Sequence, residues 1–157
     1  MAARGRKILI SAWPIGKYIE GPIYGTPKPG TVMSIRTPFY EGGQHLWEPF
    51  AGSSGVRSPI CVLLEDWGQG KTVDDAYVTG NRGFMYMPVM GEELNMLIAD
   101  VGGTGDTHAA LEDLMVQTVT GKLIAATGEE RVPFKLLQAI TTALAADTLY
   151  PCLYTGS

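Results

Sequence analysis

Histidine and cysteine are nearly absent from this chain of 157 residues, with two of each. His45 and His108 stand far apart and neither belongs to an H-x-x-x-H pair, while Cys61 and Cys152 form no C-x-x-C, so the usual metal spacings are missing. There is no G-x-S-x-G elbow either, and Ser-His-Asp hydrolysis therefore has no starting point. A Cys61/His108/Asp106 grouping can be drawn, but Cys61 sits in the most apolar stretch, whereas reactive thiols are partly exposed in electropositive surroundings. Spacing leaves open whether Cys61 and Cys152 are paired.

Other absences exclude other classes. No run approaches the roughly 18 to 20 apolar residues of a membrane span. Lys and Arg number 12 against 16 Asp and Glu, a net charge of −4, and phosphate binding needs clustered cations, so nucleic acid is not the expected partner. Arg4, Arg6 and Lys7 gather at the start, as a solvated tail or as a contact for an acidic surface. The apolar run Ile8 to Trp13 is broken by Ser11 and ended by Pro14; it is too short for a signal peptide, and it is expected to remain attached. Gly102, Gly103 and Gly105 lack the Walker pattern, and no cofactor is implied. Glu65, Asp66, Asp74, Asp75, Glu92 and Glu93 do not follow the D-x-D-x-D-G order of a calcium loop. They read as strand ends and turn caps; as a glycosidase pair they would lack an aromatic platform.

Glycine is abundant instead, 20 of 157, almost twice the usual share of roughly 7%. With 45% hydrophobic and 18% charged residues, this describes an ordered, turn-rich, all-β chain. Ile60 to Leu64 is a nearly continuous apolar run closed by Glu65-Asp66, the pattern of a strand buried on both faces. Gly83 to Val89 reads as a second strand, placed near a sheet edge by Pro88. Thr31 to Ile35 alternates after the Lys28-Pro29-Gly30 turn signal. Glu41 to Arg57 reads as a Gly/Ser loop whose Trp47 and Phe50 are either plugs or interface anchors. Asp106 could cap a short helix through Leu114, or irregular chain could lead into the next strand. Met115 to Val119 and Lys122 to Ala125 flank Thr120-Gly121 as a hairpin, and Val132 to Ile140 and Leu149 to Tyr154 supply the last strands. About eight to ten short strands at this spacing imply a small sandwich or barrel.

The order V-L-L-E-D, then G-K-T-V-D-D-A-Y-V-x-G, then an apolar strand and P-x-x-G-E-E-L-N-M-L, with G-K-L at 121–123, resembles the capsid decoration (cement) proteins of tailed bacteriophages. The likeness runs over roughly residues 56 to 155 and rests on turn and core motifs. It implies a structural virion protein on the outer capsid surface, made in the host cytoplasm, with the major capsid protein as partner, homotrimeric, and not an enzyme. An unrecognised enzyme site is the alternative, as is a carrier modified at Lys122, although Thr120 and Leu123 are not the neighbours of an attached lysine.

Seven of the ten prolines precede Ile60, which nearly excludes helix from the start of the chain. Yet residues 1–30 carry Ile8, Ile10, Trp13 and Tyr18, which need burial. The expected division is therefore an extended arm over 1–30, laid along a neighbouring subunit, and a single β-rich domain over 31–157. Expected interface residues are Ile8, Ile10, Trp13, Tyr18, Trp47, Phe50, Met85 and Met87.

Overall fold

The computed structural model describes residues 8–9, 16–41, 44–50, 59–99, 107–117, 119–126, 133–142, 144 and 146–156. The fold is all-β, as the glycine content and strand spacing imply. Ten strands are described: β1 Lys17–Pro22, β2 Val32–Glu41, β3 Gln44–Pro49, β4 Cys61–Leu63, β5 Arg82–Met87, β6 Glu93–Ile98, β7 Asp113–Val116, β8 Leu123–Ala125, β9 Phe134–Leu136 and β10 Thr148–Tyr154. The first five form a sheet in the order β1-β5-β4-β2-β3. The last five close a barrel, β10-β6-β8-β7-β9, sealed by the parallel pairing of Ile98 with Leu123.

The run around Val62 explains how the two units join. Side chains of a strand alternate between faces, and here both faces are apolar: Ile60, Val62 and Leu64 enter the main core with Leu94, Met96, Ile98 and Phe134 of the barrel, while Cys61 and Leu63 enter a second cluster with Ile23, Met33, Trp47, Tyr77 and Met85. The sheet is thus sandwiched, and each large side chain fully buried in it stabilises the fold by roughly 1.5–3 kcal/mol. The second cluster is closed by curling of the sheet. Its outer strands meet where Ile23 bridges Trp47, with Tyr24 N donating to the Trp47 carbonyl at 2.7 Å. Tyr77 covers what remains, its hydroxyl donating to the Leu64 carbonyl at 3.0 Å.

Several expectations are corrected here. The described part of residues 1–30 is built into the fold instead of lying apart from it. β1 pairs along its whole length with β5, from Lys17 opposite Met87 to Pro22 opposite Arg82. Ile8 is fully buried in the main core and its carbonyl accepts from Asn95 N at 2.7 Å. Ile8, one of the apolar residues that needed burial, therefore finds it in its own chain, whereas Tyr18 stays exposed and Ile10 and Trp13 lie outside the described residues. β5 lies next to the outer strand β1, near the sheet edge as expected but not at it. β3 runs through the stretch expected to be a loop, its Gly/Ser-rich flanks having masked Gln44–Pro49. Residues 107–114 form no helix; His108 bridges Ile140 and Asp113 begins β7. The β7–β8 hairpin exists, but its connection is longer than Thr120-Gly121, with Gln117 N donating to the Lys122 carbonyl at 2.8 Å. A two-residue type I′ turn needs positive φ at both of its adjacent central residues, whereas here the positive values fall at Val119 (74°) and Gly121 (66°), with Thr120 between them.

Candidate functional site

The chemically capable side chains are occupied with holding the fold. Glu65 accepts from Ile8 N at 3.2 Å. Asp66 caps the short 3-10 turn Trp67–Gln69, taking Gly68 N at 2.9 Å and Gln69 Nε2 at 2.6 Å. Asp75 accepts from Thr72 N and Oγ1 at 3.0 and 2.6 Å, and the Thr72 hydroxyl holds its carboxyl below the usual range. Glu92, buried, takes the Tyr86 hydroxyl at 2.6 Å and Val89 N at 2.7 Å, fixing the β5–β6 turn. Asp74 and Glu93 are exposed. Among the described residues no three His, Cys, Asp or Glu side chains converge as a metal site would require, and no helix is long and apolar enough to cross a membrane.

The nucleophile reading fails on geometry. Cys61 lies in the second cluster, on the sheet face turned away from the barrel, whereas His108 is tied to Ile140, a residue of the main core. His108 Nδ1 faces Glu112 Oε2 at 3.1 Å, and its buried Nε2 meets no partner among the described residues. Asp106 lies outside the described residues, as do Arg4, Arg6, Lys7, Ile10, Trp13 and the 102–105 glycines. His45 is exposed on β3. Lys122, weighed as a modified lysine, reaches Asp147 at 2.5 Å instead of standing free at a tip.

Both cysteines are free and buried. Burial pushes the Cys61 thiol from 9.0 up to about 12, and the Cys152 thiol is raised as well. Burial likewise raises the phenols of Tyr77 and Tyr86 above 10.0, the latter helped by its bond to Glu92. Since each folded value exceeds the unfolded one, the stability these groups contribute is complete below the unfolded values of 9.0 and 10.0 and is lost as pH rises through the folded ones. Denaturant midpoints are expected to fall above about pH 10. In neutral buffer a thiol reagent should modify neither cysteine until denaturant is added; modification of the native chain at the rate of free cysteine would contradict the packing.

The expected interface residues divide into two groups. Ile8, Trp47 and Met85 are buried inside their own chain and present no surface to a partner. Trp47 is a plug of the second cluster, not an anchor. Phe50 and Met87 are partly buried against the two cores, and Tyr18 is 53% exposed, its ring 5.0 Å from that of Tyr86. Tyr18 shares a face of the sheet with Phe84, because Tyr18 pairs with Tyr86 and Glu20 with Phe84. A second exposed region lies where sheet meets barrel. There an open cleft of about 280 Å³ is bounded by Pro27, Lys28, Pro49, Leu97, Val119 and Lys122. Sequence reading missed it because its walls come from five separated stretches of chain, none with a motif of its own.

No family profile matches the chain, and no curated protein does. A solved structure does: the N base of the head fiber gp8.5 of bacteriophage phi29, with a TM-score of 0.54 over 90% of this chain and 95% of that one. The fold resembles a bacteriophage head fiber base. Identity is 6%, so what the two chains share is the fold, the pairing of sheet and barrel, and not a set of side chains. In this chain Gly30 ties the two units together: its N donates to the Leu63 carbonyl of the sheet at 2.8 Å, and its own carbonyl accepts from Leu97 N of the barrel at 3.1 Å.

Proposed function

We propose that this chain is a structural protein of a phage virion that binds the outer surface of the head and stabilises it by bridging capsid subunits. The observation that supports it is the fold shared over nearly the whole length with a head fiber base. The turn and core motifs at 60–99 and 121–123, which resemble capsid decoration proteins, point the same way from independent grounds. The carboxylates and thiols weighed for catalysis hold turns or fill cores, which is consistent with a role that needs no turnover.

The physical logic is burial across a seam. A pressurised shell fails where neighbouring subunits part, and a protein seated on several of them adds contact that must be undone first. The partner in this reading is the major capsid protein. Homotrimers suit such sites, because closed symmetry matches three-fold axes of a shell. Tyr18, Phe50 and Met87 are the sequence-chosen residues that keep surface for contacts of this kind. Linked contacts in a trimer raise avidity by roughly 10² to 10⁴ where geometry permits.

The test is co-sedimentation with heads purified from the parent phage without this protein. Saturable binding, with a fixed number of copies per head and trimers by light scattering, is expected. Protein that stays in the supernatant at concentrations well above those in an infected cell would defeat the proposal.

A further inference from the structure

Among the described residues only Leu111 and Val119 hold a positive φ without being glycine, and Val119 at 74° is β-branched. For such a side chain this backbone is a true outlier, normally relieved by Gly or Asn. Val119 is nonetheless clamped in place, its N donating to the Phe50 carbonyl at 2.8 Å, while Val32 N donates to the Gly121 carbonyl at 2.7 Å. The side chain so held is 77% exposed. It contributes little to either core, so folding gives no reason for valine here; Leu111 is also exposed at a positive φ, and what sets Val119 apart is its β-branch and its place on a cleft, which together point to a contact made with something else.

What surrounds Val119 describes the partner. It stands on the rim of the junction cleft, whose apolar walls are Pro27, Pro49 and Leu97. Two lysines line the same cleft, together with Asp147. Lys122 is engaged by Asp147 at 2.5 Å, whereas Lys28 is exposed, its ammonium makes no hydrogen bond or ion pair among the described residues, and it is felt as a charge by Asp75. A volume near 280 Å³ falls just under the usual range of small-molecule pockets, roughly 300–1,000 Å³, and the cleft is open. It suits one or two side chains of a polypeptide laid across it.

We propose that this cleft is the surface by which the protein holds the head, and that its occupant is an extended acidic segment of the shell. An apolar side chain of that segment would pack between Val119 and the prolines, and a carboxylate near it would meet Lys28. This rests on the head-binding reading above and names the surface that does the binding.

The experiment measures binding of four forms to the same purified heads: wild type, Val119→Gly, Lys28→Glu and Leu111→Gly. The last is a control that removes another exposed aliphatic side chain from another positive-φ position, away from the cleft. Val119→Gly is expected to melt at or above the wild-type temperature and to bind about tenfold more weakly. Lys28→Glu should lose about tenfold and abolish much of the salt dependence of binding. Leu111→Gly should bind as wild type. If wild type binds and both cleft variants bind equally well, the cleft is not the contact surface, while the head-binding reading stands. Equal loss in Leu111→Gly would overturn the assignment too. Absence of wild-type binding would remove the head-binding reading itself.

Discussion

A chain lacking residues 2–20 is expected to lose its fold. The deletion removes Ile8, fully buried in the main core, and most of β1, whose pairing with β5 covers Met85 and Tyr86. Truncating one buried isoleucine costs about 2–5 kcal/mol, and domains of this size are stable by only about 5–15 kcal/mol. Loss of a whole strand as well leaves too little. The Tyr86 hydroxyl would also lose the Gly16 N–H that donates to it at 2.6 Å, and the Glu65 carboxylate the Ile8 N–H. Circular dichroism and a urea titration should show a chain without a cooperative transition. A truncated protein that unfolds cooperatively at the wild-type midpoint would mean that the first strand is dispensable and that the initial residues do form a separate arm.

The second large effect is expected at Gly121. Its φ of 66° already disfavours a side chain, and an added Cβ would come within 2.7 Å of the Thr31 methyl and closer still to the Val32 carbonyl oxygen. That oxygen cannot move away, because it accepts from Phe50 N at 2.9 Å and Val32 N donates to the Gly121 carbonyl. Backbone strain and overpacking together put the cost of Gly121→Ala at roughly 3–5 kcal/mol. The same loop therefore contains two positions with opposite responses: adding a methyl group at 121 destabilises, while removing the side chain at 119 does not. Thermal melts of the two variants check both signs. A Gly121→Ala protein within about 1 kcal/mol of wild type would show that the hairpin is not docked on β2.

Most strands were legible in the sequence, for a physical reason. Ile60 to Leu64 is apolar at every position, and only a strand buried on both faces uses such a run in so short a segment. The partner of the first thirty residues was not legible. Their composition demands burial, but apolar demand does not say whose surface answers it, and seven early prolines suggested an arm where β1 and Ile23 in fact complete a curled sheet. Trp47 was ambiguous in the same way, since an aromatic among glycines and serines can plug a core or anchor an interface. Its place in the second cluster is set by contact with Ile23. The cleft at Val119 left no trace in sequence, because positive φ at a valine contradicts the local preference that sequence reading relies on.

The proposed strengthening of a head by holding neighbouring subunits together is measured directly by the rupture temperature of heads. Heads lacking the protein would be heated with increasing amounts of it, and release of DNA followed by dye fluorescence. A ligand that binds the intact state alone stabilises it in proportion to the logarithm of its excess over Kd. The rupture temperature is expected to rise with added protein until the sites are full. Heads that carry a full complement and still rupture at the temperature of bare heads would contradict it.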